Sequence, residues 1–202
     1  MTPRTEEQFN EIRKERRSEI LNVALELFAH DGYHATSIST IARKAGISKG
    51  LLYNYFKSKE ELLKELIIST TEMVHVELDP NHDGKVTPKE FMRFIKITMK
   101  NIRDNVIHWK LYASVSLQKD VLDLLMDELQ DLGKNSMKML MEFFSQYFGD
   151  RAEEEILHFS ALTKGVMLQF LALNDDDWLD KNERMLLNYY KEKFNIEDDI
   201  DI

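Results

Sequence analysis

The chain has 202 residues, a net charge of −9, three prolines, seven glycines and no cysteine. The absence of thiols excludes disulfides, thiolate nucleophiles and cysteine-ligated metals, and the length permits one large domain or two modest ones. Helix formers are abundant and strand patterns nearly absent, so an all-α fold is predicted. The N-terminus is charged and carries no apolar signal region, which predicts a cytoplasmic protein.

Apolar periodicity predicts helices over residues 7–31, 37–44, 48–55 and 59–77, then 88–103, 105–116, 119–148, 151–173 and 180–194. An acidic tail over 195–202 is expected to fray. The first helix turns Ile20, Ala24, Leu25, Leu27 and Phe28 to one side. After Gly32-Tyr33 comes the most informative stretch, TSISTIARKAGISKGLLYNYFKSKEEL, residues 36–62. Ile38, Ile41, Ala42 and Ala45 repeat at three and four, the spacing of one buried helix face. Thr36 or Ser37 can cap that helix, and Ser48 can cap the next. Between them Gly46 suits a tight turn that needs positive φ. Leu51, Leu52 and Phe56 give the second helix an inward side. Lys49, Gly50, Tyr53, Asn54 and Tyr55 are left outward. A lysine, a residue without bulk and two phenols suit the approach of a helix to a duplex, where phosphate contacts set register and base edges carry sequence. Ser58-Lys59-Glu60-Glu61 reads as a capping box that starts a longer helix.

This run resembles the DNA-binding domain of the tetracycline-repressor (TetR) family. Helix, glycine, threonine, Ile-Ala, Ala-Gly-hydrophobic-Ser and Leu-Tyr-x-Tyr-Phe-x-x-Lys follow one another in the family's order across the first third of the chain. The resemblance implies a three-helix helix-turn-helix domain over residues 1–66. It implies DNA contacts from Thr36, Ser37, Ser48, Lys49, Gly50, Tyr53, Tyr55 and Lys59, with Lys49 and Gly50 nearest the bases and Tyr53, Tyr55 and Lys59 on phosphates. It also implies an effector-binding and dimerisation domain over residues 67–202.

The acidic net charge is unevenly spread. Residues 1–66 hold 11 basic and 10 acidic side chains, leaving 16 basic and 26 acidic in the remainder. The first region has basic clusters at Arg13-Lys14-Glu15-Arg16-Arg17 and at Arg43-Lys44, suited to phosphate contact beside a helix-turn-helix.

Residues 79–90 read DPNHDGKVTPKE and match the EF-hand calcium-loop pattern completely. Asp79, Asn81 and Asp83 would offer side-chain oxygens. Lys85 would offer its backbone carbonyl, Thr87 would act through water, and Glu90 would close the site with two oxygens. Gly84 would make the sharp turn. Calcium is the ion expected here, magnesium less so. The competing reading is a solvated linker in which Asp and Asn make turns and Pro88 starts a helix. No second loop accompanies it, since Asp175-Asp176-Asp177 lacks the spacing and the glycine.

The later helices are rich in bulky apolar residues. They predict a core and, by the resemblance, a pocket for an unidentified small-molecule effector, with His108, Tyr112 or His158 as polar anchors. The most apolar helix, 156–173, is interrupted by His158, Lys164 and Gln169 and is read as a buried helix rather than a membrane span. Leu157, Ala161, Lys164, Gly165, Leu168 and Ala172 form a face of small residues suited to a two-fold homodimer contact. An enzyme is the class with least support, because no phosphate loop or metalloprotease helix is present and the six histidines are scattered. The reading is a ligand-responsive homodimeric transcriptional regulator, a repressor, bound to double-stranded operator DNA. The alternative is a calcium-sensing helical interaction protein with a vestigial DNA reader.

Overall fold

A computed structural model describes residues 6–196, and the expected fraying of the tail lies largely outside them. Its regular elements are all helices: α1 (Glu6–Asp31), α2 (Ile38–Lys44), α3 (Lys49–Tyr53), α4 (Lys59–His75), α5 (Pro88–Asp104), α6 (Val106–Ser116), α7 (Lys119–Asp123), α8 (Met126–Phe148), α9 (Ala152–Leu173) and α10 (Asp176–Phe194). Short 3-10 turns at Val76–Leu78 and Gly149–Arg151 follow α4 and α8. The all-α expectation holds. The helix expected over 119–148 is broken at Leu124 and Leu125, where no proline or glycine marks the break. Leu125 is buried to 1% at this point, outside regular helix. The last helix starts earlier than periodicity suggests, because Asp175 caps it by accepting the Trp178 N–H at 3.1 Å.

The chain divides into two compact units. The first runs to Ile67 and also takes in Lys110–Leu124; the second holds Ile68–Trp109 and the chain from Leu125 onward. A cut after residue 66 therefore misses one segment, since 110–124 packs with the first unit. Its signal was hidden because Leu111, Val115 and Val121 show the same apolar periodicity as any core helix. All three are buried, alongside Ile20, Phe28, Ile41 and Leu52 of the same unit.

The second unit is organised around Phe91 of α5. Its ring lies 5.0–5.6 Å from those of Phe143, Phe144, Phe159, Tyr190 and Phe194, contributed by α8, α9 and α10. Edge-to-face and tilted pairs at such distances add to ordinary area burial. A bidentate-capable cation, Arg103, joins α5 to α10 through Asp176 and Asp180.

Candidate nucleic-acid interface

The helix-turn-helix is built by caps and one turn. Ser37 caps α2, its Oγ accepting the Thr40 N–H at 3.1 Å, and Ser48 caps α3 by accepting the Leu51 N–H at 3.1 Å. Between them Gly46 adopts φ +67°, and the Ile47 N–H closes back on the Ala42 carbonyl at 3.0 Å. That backbone conformation favours glycine because a Cβ would be strained there. Leu52 and Phe56 are fully buried, which fixes the inward side of α3. Lys49, Gly50 and Tyr53 then face outward. Nothing lies within 4 Å of where a Gly50 side chain would start, so a duplex backbone has room to approach. The Lys49 ammonium sits 6.0 Å from the Tyr53 ring centroid, pairing charge and phenol on one surface.

The expected contact residues separate into two sets. Ser37, Ser48, Lys49, Gly50 and Tyr53 are exposed and Tyr55 half-exposed. Thr36 is a correction. It is 2% exposed, and its hydroxyl donates to the Gly32 carbonyl at 2.9 Å, so it locks the loop after α1 rather than meeting a phosphate. Lys59 is the second correction. Its ammonium donates to the carbonyls of Tyr33 and Thr36 at 2.8 and 3.0 Å and lies 4.2 Å from the Tyr33 ring centroid. Two of its three N–H donors are thereby committed to the same loop. The capping box at Ser58 is half formed: Ser58 accepts the Glu61 N–H at 3.2 Å, while the Glu61 carboxylate reaches the N–H of Lys57 instead. A hydrogen bond from the Ser58 side chain holds Glu60 below the usual carboxylate range. Burial, with Glu60 beside it, pushes the Tyr33 hydroxyl up to about 12.

The basic cluster on α1 is mostly structural. Arg17 grips Glu65 through both guanidinium nitrogens and stacks 4.5 Å from the Phe56 ring centroid. Arg16 pairs with Glu19. Arg13 was not singled out by sequence, yet it donates to the Asn54 carbonyl at 3.3 Å and lies 5.8 Å from the Tyr55 ring centroid. It thus braces the end of α3. Only its place in a basic run signalled it.

The calcium-like loop has the right frame but not a converged set of ligands. A 3-10 turn ends at Leu78, immediately before the loop, and α5 begins at Pro88. His82 and Gly84 take φ +58° and +76°, and Val86 is buried to 7%. The Asp79 carboxylate accepts the N–H groups of Asp83 and Gly84 at 3.1 and 3.0 Å, and Asp83 accepts that of Lys85 at 2.9 Å. Asn81 accepts the Asp83 N–H at 3.0 Å. Glu90 is turned to Thr87, accepting its N–H and hydroxyl at 2.9 and 2.8 Å in a full capping box for α5. This cap engages the carboxylate that an ion would need. Among the described residues, no group of three or more His, Asp or Glu side chains is gathered to hold a metal.

The residues expected as effector anchors lie in different surroundings. Tyr112 belongs to the first unit, and His158 is 71% exposed on α9. His108 has a buried Nδ1 that lacks a hydrogen-bond partner. An open cleft of about 470 Å³ lies instead beside the calcium-like loop, lined by His75, Asp79, His82, Lys138 and Glu142 among others.

Residues 20–66 match the family of bacterial regulatory proteins called the tetR family. The chain is 32% identical over 77 residues to the fatty acid metabolism regulator protein of Bacillus subtilis, covering 38% of this chain and 40% of that protein. It is 35% identical over 77 residues to the HTH-type transcriptional regulator HbdR of Aromatoleum, covering 38% of this chain and 34% of that protein. These matches span less than two thirds of the relatives' own length. Among solved structures, the fatty acid degradation regulator FadR from Bacillus halodurans superposes with a TM-score of 0.67 at 16% identity, covering 85% of this chain and 94% of that one. A transcriptional regulator from Aquifex aeolicus gives 0.65 at 22% identity, over 88% and 98%. At such identities the structural likeness shows the fold across nearly the whole chain, while the sequence match is concentrated on the helix-turn-helix. With that reader's caps, turn and outward side chains in place, residues 20–66 form a DNA-binding domain of the tetR type.

Proposed function

We propose that this protein is a cytoplasmic, ligand-responsive homodimeric transcriptional regulator, acting as a repressor on double-stranded operator DNA. The observation that carries this reading is the outward trio Lys49, Gly50 and Tyr53 on a helix whose inward side, Leu52, is fully buried. Lys49 and Gly50 are read as nearest the bases, with Tyr53, Tyr55, Ser37 and Ser48 on phosphates and backbone. A homodimer fits because two readers match two half-sites. The face named from sequence supports it, since Leu157, Ala161, Lys164, Leu168 and Ala172 are all exposed. Relatives named for fatty acid metabolism make an acyl chain the first effector to test.

The test is operator binding by fluorescence anisotropy. Lys49→Ala should weaken specific binding about 10- to 100-fold, and Tyr53→Phe should weaken it less and leave the salt dependence unchanged, because the phenol carries no charge. Specific binding that survives both changes rejects this mechanism.

The helix–loop–helix frame around residues 79–90 favours one addition, a calcium ion held by Asp79, Asn81, Asp83, the Lys85 carbonyl and Glu90. Glu90 would have to leave its cap on Thr87 to take part. An ion there would bias operator binding only by favouring one state of α4 over another. Equal operator affinity in calcium and in chelator, with Glu90→Gln as control, rejects the regulatory role.

A further inference from the structure

The outward surface of α3 carries one side chain that the proposed DNA contacts do not use. Apolar spacing groups Leu51 with Leu52 and Phe56 as the inward side of this helix, and the structure separates them. Leu52 and Phe56 are fully buried, whereas Leu51 is 40% exposed, close to the 46% of Tyr53. Helical geometry accounts for the difference. Successive residues are about 100° apart around the axis, so Leu51 and Tyr53 flank the buried Leu52 equally, one on each side. Gly50 then stands between them on the outer surface, with nothing within 4 Å of where its Cβ would be. An isobutyl group and a phenol thus border a strip of bare backbone.

The two borders are chemically unlike. The Ser48 hydroxyl, the Lys49 ammonium and the Tyr53 phenol can each meet a phosphate oxygen. Leu51 has neither donor nor acceptor, and setting it against a phosphate would strip water from a charge and return nothing. A lone exposed leucine is ordinary on most protein surfaces. On a helix that enters the major groove, however, it is covered by base edges, and the apolar group those edges present is the C5-methyl of thymine. The backbone that carries Leu51 is held at both ends of α3. Its own N–H donates to Ser48 Oγ at 3.1 Å, and its carbonyl accepts the Asn54 N–H at 3.1 Å. Arg13 in turn holds the Asn54 carbonyl at 3.3 Å.

We propose that Leu51 determines specificity by reading a thymine in each operator half-site through its C5-methyl. This rests on the DNA-binding reading above and adds to it a base and the atom by which that base is told apart. Gly50 lets the helix come close, and Leu51 then meets the methyl. Cytosine at the same position lacks that methyl, and its N4 donor finds no acceptor on leucine. Losing the contact uncovers about one methyl group, a factor of about three to five in affinity for each half-site.

Removing the methyl from the DNA and the side chain from the protein tests this. The full chain first selects its preferred duplex from a random-sequence library. Thymines of one half-site are then replaced singly by deoxyuridine, which keeps every hydrogen-bonding group and lacks only the methyl. Fluorescence anisotropy should find a position where this weakens wild-type binding about three- to fivefold. At that position Leu51→Ala should bind the thymine and deoxyuridine duplexes equally, which closes a double-mutant cycle on the contact. Leu51 is exposed and alanine favours helix, so the variant should keep native helix content and melting. A methyl effect that persists in Leu51→Ala belongs to another side chain or to the duplex itself and overturns the proposal. A selected duplex in which no thymine methyl matters also overturns it and leaves the DNA-binding reading standing. Failure to enrich any duplex overturns both.

Discussion

The first unit is held where side chains grip backbone, and the second where rings grip rings. In the reader, Ser37 and Ser48 satisfy the free N–H groups of α2 and α3, Thr36 and Lys59 hold the carbonyls of one loop, and Arg13 holds that of Asn54. These contacts fix positions to within a hydrogen bond, which a DNA-reading helix requires. The second unit has its centre at Phe91, among five rings from three other helices. Such packing resists loss of volume but is tolerant in direction, and it leaves the α9–α10 face open. A reader needs fixed geometry, whereas a partner-binding unit needs a stable core and an uncommitted surface.

The sharpest way to break this contrast is to remove the ring at its centre. Phe91→Ala should cost about 3–5 kcal/mol, because a fully buried aromatic leaves a cavity that six-ring packing closes poorly. Thermal unfolding by circular dichroism measures it. A cost under about 1 kcal/mol would mean that the core collapses around the gap, and the second unit would not depend on its rings.

Lys59→Met should have the next largest effect, about 1.5–3 kcal/mol, the range for hydrogen bonds made by a charged group. Because the clamp and the DNA surface share the Tyr33–Thr36 loop, this change should lower melting temperature and operator affinity together. Tyr53→Phe should lower affinity alone. A Lys59→Met protein with native melting but weak operator binding would return Lys59 to the phosphate contacts.

Lys59 also illustrates what the sequence conceals. The helix-turn-helix was legible because its signals are local: a cap, a small residue, a glycine and an apolar repeat within 27 residues of chain. The inward or outward direction of a polar side chain is set by partners far away in sequence. Lys59 meets carbonyls 26 and 23 residues earlier, separations that do not follow from periodicity. The assignment of 110–124 to the reader was hidden for the same reason. Glu90 differs, because two local signatures overlap on it. A capping box and a calcium loop both end in glutamate, and spacing alone does not choose between them.

The smallest expected effect contrasts the units through pH. His75 ends α4 and is bonded through Nδ1 to the Ser136 hydroxyl at 2.9 Å. Burial depresses its pKa, and burial depresses that of His108 as well. The unfolded chain therefore binds protons first as pH falls below about 6.5, the ordinary histidine value. Stability contributed by the neutral imidazoles is present above that value and is lost as pH falls toward the folded pKa. The melting temperature should drop between pH 7 and pH 5.5, and His75→Asn should flatten part of that drop. The reader's shifted groups, Tyr33 upward and Glu60 downward, titrate outside this window, so acidification over it should loosen the second unit first. Hydrogen exchange resolved by segment would check this. Faster exchange in α2 and α3 before α5 and α8 would reverse the order and place the acid-sensitive element in the reader.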